Sequence, residues 1–180
     1  MILDAFRLTG KVAVVTGSRT GLGQGMALGL AEAGADIVGI DINHLEETQK
    51  GVEERGREFL EIEADLSKIG VIGEIVEKAV GRFGRVDILV NNAGITRLLA
   101  NEWAKYNINV NAIAPGYMAT DNTAPLRRDP KRSEEILQRI PAGRWGTPED
   151  LQGMVVCLAS EASRYVNGYT IAVDGGWLAR

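Results

Sequence analysis

The chain has 180 residues, 45% apolar and 24% charged, with a net charge of −4, as expected of one ordinary globular domain. Acids and bases alternate along it, so it lacks the basic footprint of a non-specific nucleic-acid binder, and no apolar run approaches the ~18 residues of a membrane span. A single cysteine, Cys157, and a single histidine, His44, exclude a disulfide framework and a Cys/His zinc site.

The predicted elements alternate. Lys11 to Thr16 is a short, nearly all-apolar run, the mark of a strand buried on both faces. Leu22, Met26 and Leu30 recur at helical spacing, and Gly34 closes that helix. Residues 35–40 form a second strand that ends at Asp41. A polar helix over 45–55 leads to a strand through Phe59-Leu60-Glu61-Ile62. Ile69, Ile72, Val76, Ala79 and Phe83 then make a helical stripe, and Val86 to Val90 a fourth strand. This order predicts a Rossmann-type, doubly wound parallel sheet with right-handed crossovers, one domain over 1–180.

The second half is thinner. Leu99, Trp103 and Tyr106 suggest a short helix, Ile108 to Ile113 a strand, and a polar stretch runs on to about Ile140. Thr147-Pro148-Glu149-Asp150 is a helix start with a cap, an N1 proline and first-turn acids. Leu151, Met154, Val155 and Leu158 follow on its apolar side. Residues 169–173 are a last strand, stopped by Asp174-Gly175-Gly176.

Glycine is the enriched residue, 22 of 180. Three of the glycines, Gly17, Gly21 and Gly23, sit where the first strand turns into the first helix. A diphosphate needs free backbone N–H groups and the positive end of a helix there, with no Cβ in its way. Asp41, 18 residues past Gly23 at the end of the second strand, stands where a carboxylate accepts both hydroxyls of an adenosine ribose. That carboxylate repels a 2′-phosphate, so NAD is favoured over NADP, with Arg19 as the one opposing cation. The alternative is a structural turn beside an incidental surface aspartate.

The glycine spacing is GxxxGxG. With Asn91-Asn92-Ala93-Gly94 after the fourth strand, Asp65 after the third, Pro115-Gly116-Tyr117-Met118-Ala119-Thr120 and Asp174-Gly175-Gly176, the chain resembles the short-chain dehydrogenase/reductase family. The resemblance implies a cofactor site of Gly17, Thr20, Gly21, Leu22, Gly23, Asp41, Asp65, Leu66, Asn92, Ala93, Gly94, Pro115, Gly116, Met118 and Thr120. In it, Asp65 holds the adenine edge and Met118 and Thr120 meet the nicotinamide carboxamide. Residues 99–105, 142–148 and 168–177 are similar to a sugar-acid branch of that family. This implies hydride transfer between NAD and a secondary alcohol of a sugar acid, in a cytoplasmic homo-oligomer, commonly a tetramer.

One part of the family pattern is missing. Its members use Ser, Tyr and Lys, with Tyr-x-x-x-Lys on a helix, and a helix asparagine. Here Val110 stands four residues after Tyr106, Asp121 after Tyr117, Tyr169 after Tyr165 and Val173 after Tyr169. Asn91 to Ile95 runs directly into Thr96-Arg97-Leu98-Leu99, which resembles the part of that helix beyond its lysine. An internal deletion at 95/96 is therefore expected, worth roughly two βα units. About six strands instead of seven would remain, with the 108–113 strand beside the 86–90 strand. Two functional classes follow: a sugar-acid oxidoreductase, or a catalytically inactive NAD-binding remnant.

His44 is read as a solvated residue near the adenosine end and Cys157 as core. The cations of residues 126–132 are a solvated segment or, in the sharper reading, a lid whose Arg127 and Arg128 steer a sugar carboxylate. Trp103, Trp145 and Trp177 are read as core or interface.

Overall fold

A computed structural model describes every residue except 67, 69, 70, 91–95, 97–99, 102, 103 and 180. The first half follows the predicted alternation: β1 (Val12–Thr16), α1 (Gly21–Glu32), β2 (Asp36–Asp41), α2 (Glu46–Glu54), β3 (Phe59–Glu63), α3 (Val71–Phe83) and β4 (Ile88–Val90). The strands lie parallel in the order β3-β2-β1-β4, with Val12 opposite Asp36 and Ala13 opposite Ile88.

Both faces of β1 and β2 are covered, which is why β1 carries no polar alternation. Ala13, Val15 and Ile37 pack on one side with Ala27, Leu30 and Ala31 of α1 and Val52 of α2. Val12, Val14, Val38, Ile40 and Ile62 pack on the other, under Ile75 and Ala79 of α3. The stripe that defined α3 is only partly used: Ile72 is 54% and Val76 52% exposed.

The second half contains β5 (Ala112–Pro115), α4 (Ala124–Arg128), α5 (Pro130–Leu137), α6 (Gln152–Ala159) and β6 (Thr170–Val173). Thr147 caps a 3-10 turn, Pro148–Leu151, that leads into α6. Gly25 and Gly29 let this segment press on α1: a Cβ at Gly25 would lie 2.5 Å from Pro148 Cβ, and one at Gly29 2.8 Å from Gln152 Cβ.

The structure corrects three expectations. Six strands are present among the described residues, but they do not close into one sheet. β5 pairs with β6 in a separate two-stranded sheet, and β4 pairs with β1 alone. Ile88 and Val90 of β4 and Ile113 of β5 border the same apolar cluster beneath α1 and α6, yet β4 and β5 are not paired with one another among the described residues. Leu89, on the opposite side of β4, is 57% exposed.

Residues 108–111 are not a strand. Side chains replace the ladder there: Asn109 Nδ2 donates to Arg164 O, Asn111 Nδ2 to Val166 O, and Val110 N–H to Asn167 Oδ1. The polar stretch before Ile140 holds two helices, α5 capped by Asp129, whose side chain accepts from Arg132 N–H, with Pro130 at its first position. Of the 96–107 crossover, residues 97–99, 102 and 103 lie outside the described residues.

Candidate active site

The parallel strands bring most of the predicted cofactor residues to one edge, because β1, β2, β3 and β5 all end there. β1 delivers the chain to Gly17, whose φ of +63° only glycine adopts freely. Gly17 N–H donates to Ile40 O at 2.8 Å, fixing the turn against β2. Gly21, with φ +61°, opens α1 behind the extended Thr20. The turn is tight from below and open above. A Cβ on Gly23 would sit 2.1 Å from Gly17 O, whereas one on Gly17 would meet nothing within 4 Å. The first amides of α1 have no carbonyl one turn back within the helix, so this cradle offers donors to an anion.

Thr48 holds the turn and escaped the sequence reading. It is fully buried on α2, its Oγ1 donates to Ser18 O at 2.7 Å, and it accepts from Gln24 Nε2 at 3.0 Å. On an otherwise polar helix a threonine gives no local signal of a contact 30 residues away.

Asp41 ends β2 with its carboxylate accepting Asn43 N–H at 3.2 Å. The neighbouring strand places Glu63 beside it in register. Asp65 and Leu66 follow β3; Asp65 lies 3.8 Å from Lys68 and Leu66 is 43% exposed. Asn92, Ala93 and Gly94 lie outside the described residues.

His44 is exposed, as expected. Its Nδ1 lies 2.9 Å from Glu61 Oε1, and that hydrogen bond, with the charge of Glu61, raises its pKa above the ordinary histidine value.

Pro115 and Gly116 close β5, where Gly116 N–H donates to Val173 O. A Cβ at Gly116 would fall 2.6 Å from Asp174 Cα, so the two sequence motifs, Pro115-Gly116 and Asp174-Gly175-Gly176, touch through backbone. Met118 is buried and Thr120 comes forward: its Cγ2 lies 3.4 Å from where a Cβ of Gly21 would stand. The turn of α1 and the 116–120 loop therefore abut, which the sequence could not show across 99 residues.

Thr123 Oγ1 bonds this loop at Met118 O and Thr120 O, and Arg127 Nη2 donates to Thr120 O at 3.0 Å. Arg127 is thus tied to the loop, while Arg128 stays exposed.

None of Tyr117, Tyr165 and Tyr169 has a lysine four residues on to make the catalytic pair. Tyr117 packs edge-on to Trp145 at 5.5 Å and tilted on Trp177 at 4.7 Å, which puts both tryptophans in packing roles as expected; Trp103 lies outside the described residues. Tyr165 is fully exposed and Tyr169 63% exposed. Cys157 is half-buried rather than core. No group of metal-ligating side chains occurs among the described residues.

The open cradle over Gly17, the carboxylate ending β2 and the abutting 116–120 loop fit a dinucleotide lying across the strand ends. Comparison with known proteins agrees with this geometry. Residues 11–98 match the short chain dehydrogenase family profile, and residues 94–178 a profile described as enoyl-(acyl carrier protein) reductase. The 2-dehydro-3-deoxy-D-gluconate 5-dehydrogenase of Dickeya dadantii is 50% identical over 253 alignment positions, spanning 100% of both chains. This chain has 180 residues, so 73 of those 253 positions hold a residue of the relative alone.

A crystal structure of a candidate short-chain alcohol dehydrogenase from Sinorhizobium meliloti superposes with a TM-score of 0.93 at 30% identity, covering 97% of this chain and 99% of that one. A candidate 2-deoxy-D-gluconate 3-dehydrogenase of Agrobacterium tumefaciens, with bound NADP, gives 0.83 at 34% identity, covering 98% and 100%. The nucleotide cradle, the strand order and these likenesses together place the chain in the short-chain dehydrogenase/reductase family of oxidoreductases.

Proposed function

We propose that this chain is a sugar-acid oxidoreductase of the 2-deoxy-D-gluconate or 2-dehydro-3-deoxy-D-gluconate type whose dinucleotide site is intact and whose proton-transfer residues are lost at the 95/96 junction. The observation that carries the first half is the cradle: Gly17 is open above, and Gly21 begins α1 where a Cβ on it would meet Thr120 Cγ2 at 3.4 Å. Gly17, Thr20, Gly21 and the start of α1 receive the diphosphate, and Asp41 the adenosine ribose. Asp65 and Leu66 flank the base, with Asn92 to Gly94 along the cofactor. Met118 and Thr120 border the nicotinamide, and Arg127 and Arg128 stand on the side from which a sugar carboxylate enters. The bound dinucleotide supplies or accepts the hydride. This chain's residues orient it and keep its two halves at a fixed separation.

NAD is the preferred form. Asp41 has Glu63 as its cross-strand neighbour, so two carboxylates stand at the strand ends where a 2′-phosphate would lie, while Glu61 is engaged by His44. Arg19 is exposed beside the cradle and favours NADP, the form bound in the Agrobacterium relative. The carboxylates outnumber it.

Without Tyr-x-x-x-Lys, hydride transfer has no positioned general acid, which forfeits about 10²–10⁴ in rate. A binding-only chain is the second reading, and that gap is the observation favouring it. Homo-oligomer formation and a cytoplasmic location rest on the family resemblance. No described helix is long and apolar enough to cross a membrane.

Titration with NADH and NADPH, followed by tryptophan fluorescence, tests the reading. NADH should bind more tightly, and Asp41→Ala should weaken NADH by about tenfold, 1.4 kcal/mol, with little change for NADPH. Absence of binding to either refutes the cofactor site. Reduction of NAD⁺ by 2-dehydro-3-deoxy-D-gluconate, read as rising absorbance at 340 nm, then separates the residual oxidoreductase from the binding-only chain.

A further inference from the structure

Between β5 and α6 the chain forms a strap, residues 142–151, whose bonds reach both halves of the dinucleotide site. On one side it grips the loop facing the nicotinamide. Gly146 N–H donates to Tyr117 O at 2.9 Å, Ala119 N–H donates to Gly146 O at 2.7 Å, and Met118 and Gly146 form a parallel bridge. A Cβ on Gly146 would fall 2.4 Å from Met118 Sδ, so the strap lies directly against the buried methionine. On its other side Pro148 rests on Gly25 of α1, the helix whose first turn cradles the diphosphate.

One ion pair shapes the strap between these two grips. Arg144 Nη1 and Nη2 donate to Asp150 Oδ2 and Oδ1, both at 2.7 Å, and Asp150 Oδ2 also accepts Thr147 N–H at 2.7 Å. This two-pronged geometry fixes direction as well as distance. The side chains are 58% and 30% exposed, and an exposed pair adds little to global stability. Its consequence is local: it closes residues 144–150 into a rigid corner.

We infer that the Arg144–Asp150 pair is a positioning latch that sets the separation between the diphosphate cradle and the nicotinamide-facing loop at Met118 and Thr120. This rests on the cofactor reading above and goes beyond it by assigning two residues that touch neither ligand half. The 116–120 loop has its own internal bonds through Thr123, so the loop's shape survives without the latch. What the latch supplies is its placement relative to α1. Opening it leaves the cradle and Asp41 where they are and lets the loop drift, so only a ligand that spans both halves loses affinity.

ADP-ribose, which has the adenosine, the diphosphate and both riboses but no nicotinamide, separates the two contributions. Binding of NADH and of ADP-ribose is measured by calorimetry for the unmodified chain, Asp150→Asn and Arg144→Lys, with a thermal melt of each. The latch predicts that Asp150→Asn weakens NADH about tenfold and ADP-ribose by less than about twofold, with Arg144→Lys between, since lysine keeps the charge but not the fork. Gly146→Ala tests the same placement while keeping both members of the ion pair, by displacing Met118, which its Cβ would approach to 2.4 Å against an ordinary 3.6 Å contact with Asp150 Oδ2, and should show the same split. Equal losses for both ligands, or no loss for either, overturn the inference. If the unmodified chain fails to bind ADP-ribose, the cofactor reading itself has failed and the latch has nothing to position.

Discussion

Gly23 is the residue on which the cradle's shape depends most directly, and Gly23→Ala isolates it. The added carbon would lie 2.1 Å from Gly17 O, 2.7 Å from Gly17 C and 3.2 Å from Ser18 Cα, where Cβ contacts essentially never fall below 3.0 Å. The shortfall against the oxygen is 3.0 less 2.1, or 0.9 Å, and every atom concerned is backbone, so no side chain can rotate aside. The turn must move away from α1. Overpacking of this kind costs about 1–3 kcal/mol, and the better helix propensity of alanine returns about 1 kcal/mol. A net loss of about 0–2 kcal/mol is expected, lowering the melting temperature by up to roughly 8 °C. NADH binding should weaken by more than the stability loss suggests, about tenfold or beyond, because the displaced amides are the ones to which the proposed cofactor site assigns the diphosphate. The control is Gly81→Ala in α3, where a Cβ meets nothing within 4 Å; it should gain about 0.5–1 kcal/mol and leave binding unchanged. Urea titration and NADH calorimetry on the two variants decide the matter. Unaltered stability and affinity in Gly23→Ala would mean that the turn and α1 do not pack as described.

Leu30, fully buried between α1 and the sheet, should cost about 2–5 kcal/mol as Leu30→Ala in urea unfolding; a loss below 1 kcal/mol would argue against a shared core under α1. Leu89, at 57% exposure on β4, should accept Leu89→Glu within about 0.5 kcal/mol, and a large loss would show that this face is covered in solution. Asp87 predicts an acid response. Burial alone would raise its pKa, but hydrogen bonds from Arg85 and Val12 N–H, with the charges of Arg85 and Lys11, hold it below the ordinary value. Its contribution is therefore present above the unfolded value of about 3.9 and lost as pH falls through the lower folded value. Stability measured at pH 7 and again below pH 4 should fall further in the unmodified chain than in Asp87→Asn, and equal falls would remove Asp87 from the acid response.

The strand-to-helix turn from Gly17 to Gly23 was readable along the chain because its determinants are local. A buried parallel strand must be apolar on both faces, as Val12 to Val15 are, and a diphosphate turn must place glycine where φ is positive, as at Gly17 and Gly21. Asp41 follows from the length of one helix and one strand. The helix α5 was local too, since Asp129-Pro130 is a cap and an N1 proline, but a polar composition concealed it. What remained invisible was decided by contacts between distant segments. Thr48 reaches the turn from another helix, and three asparagine side chains take the place of a ladder at 109–111. The sheet is divided between β4 and β5 although residues of both border one apolar cluster, and neither strand's own pattern signals the division. Periodicity reports which face of an element is buried; it carries no record of which neighbour buries it, and that choice belongs to the tertiary structure.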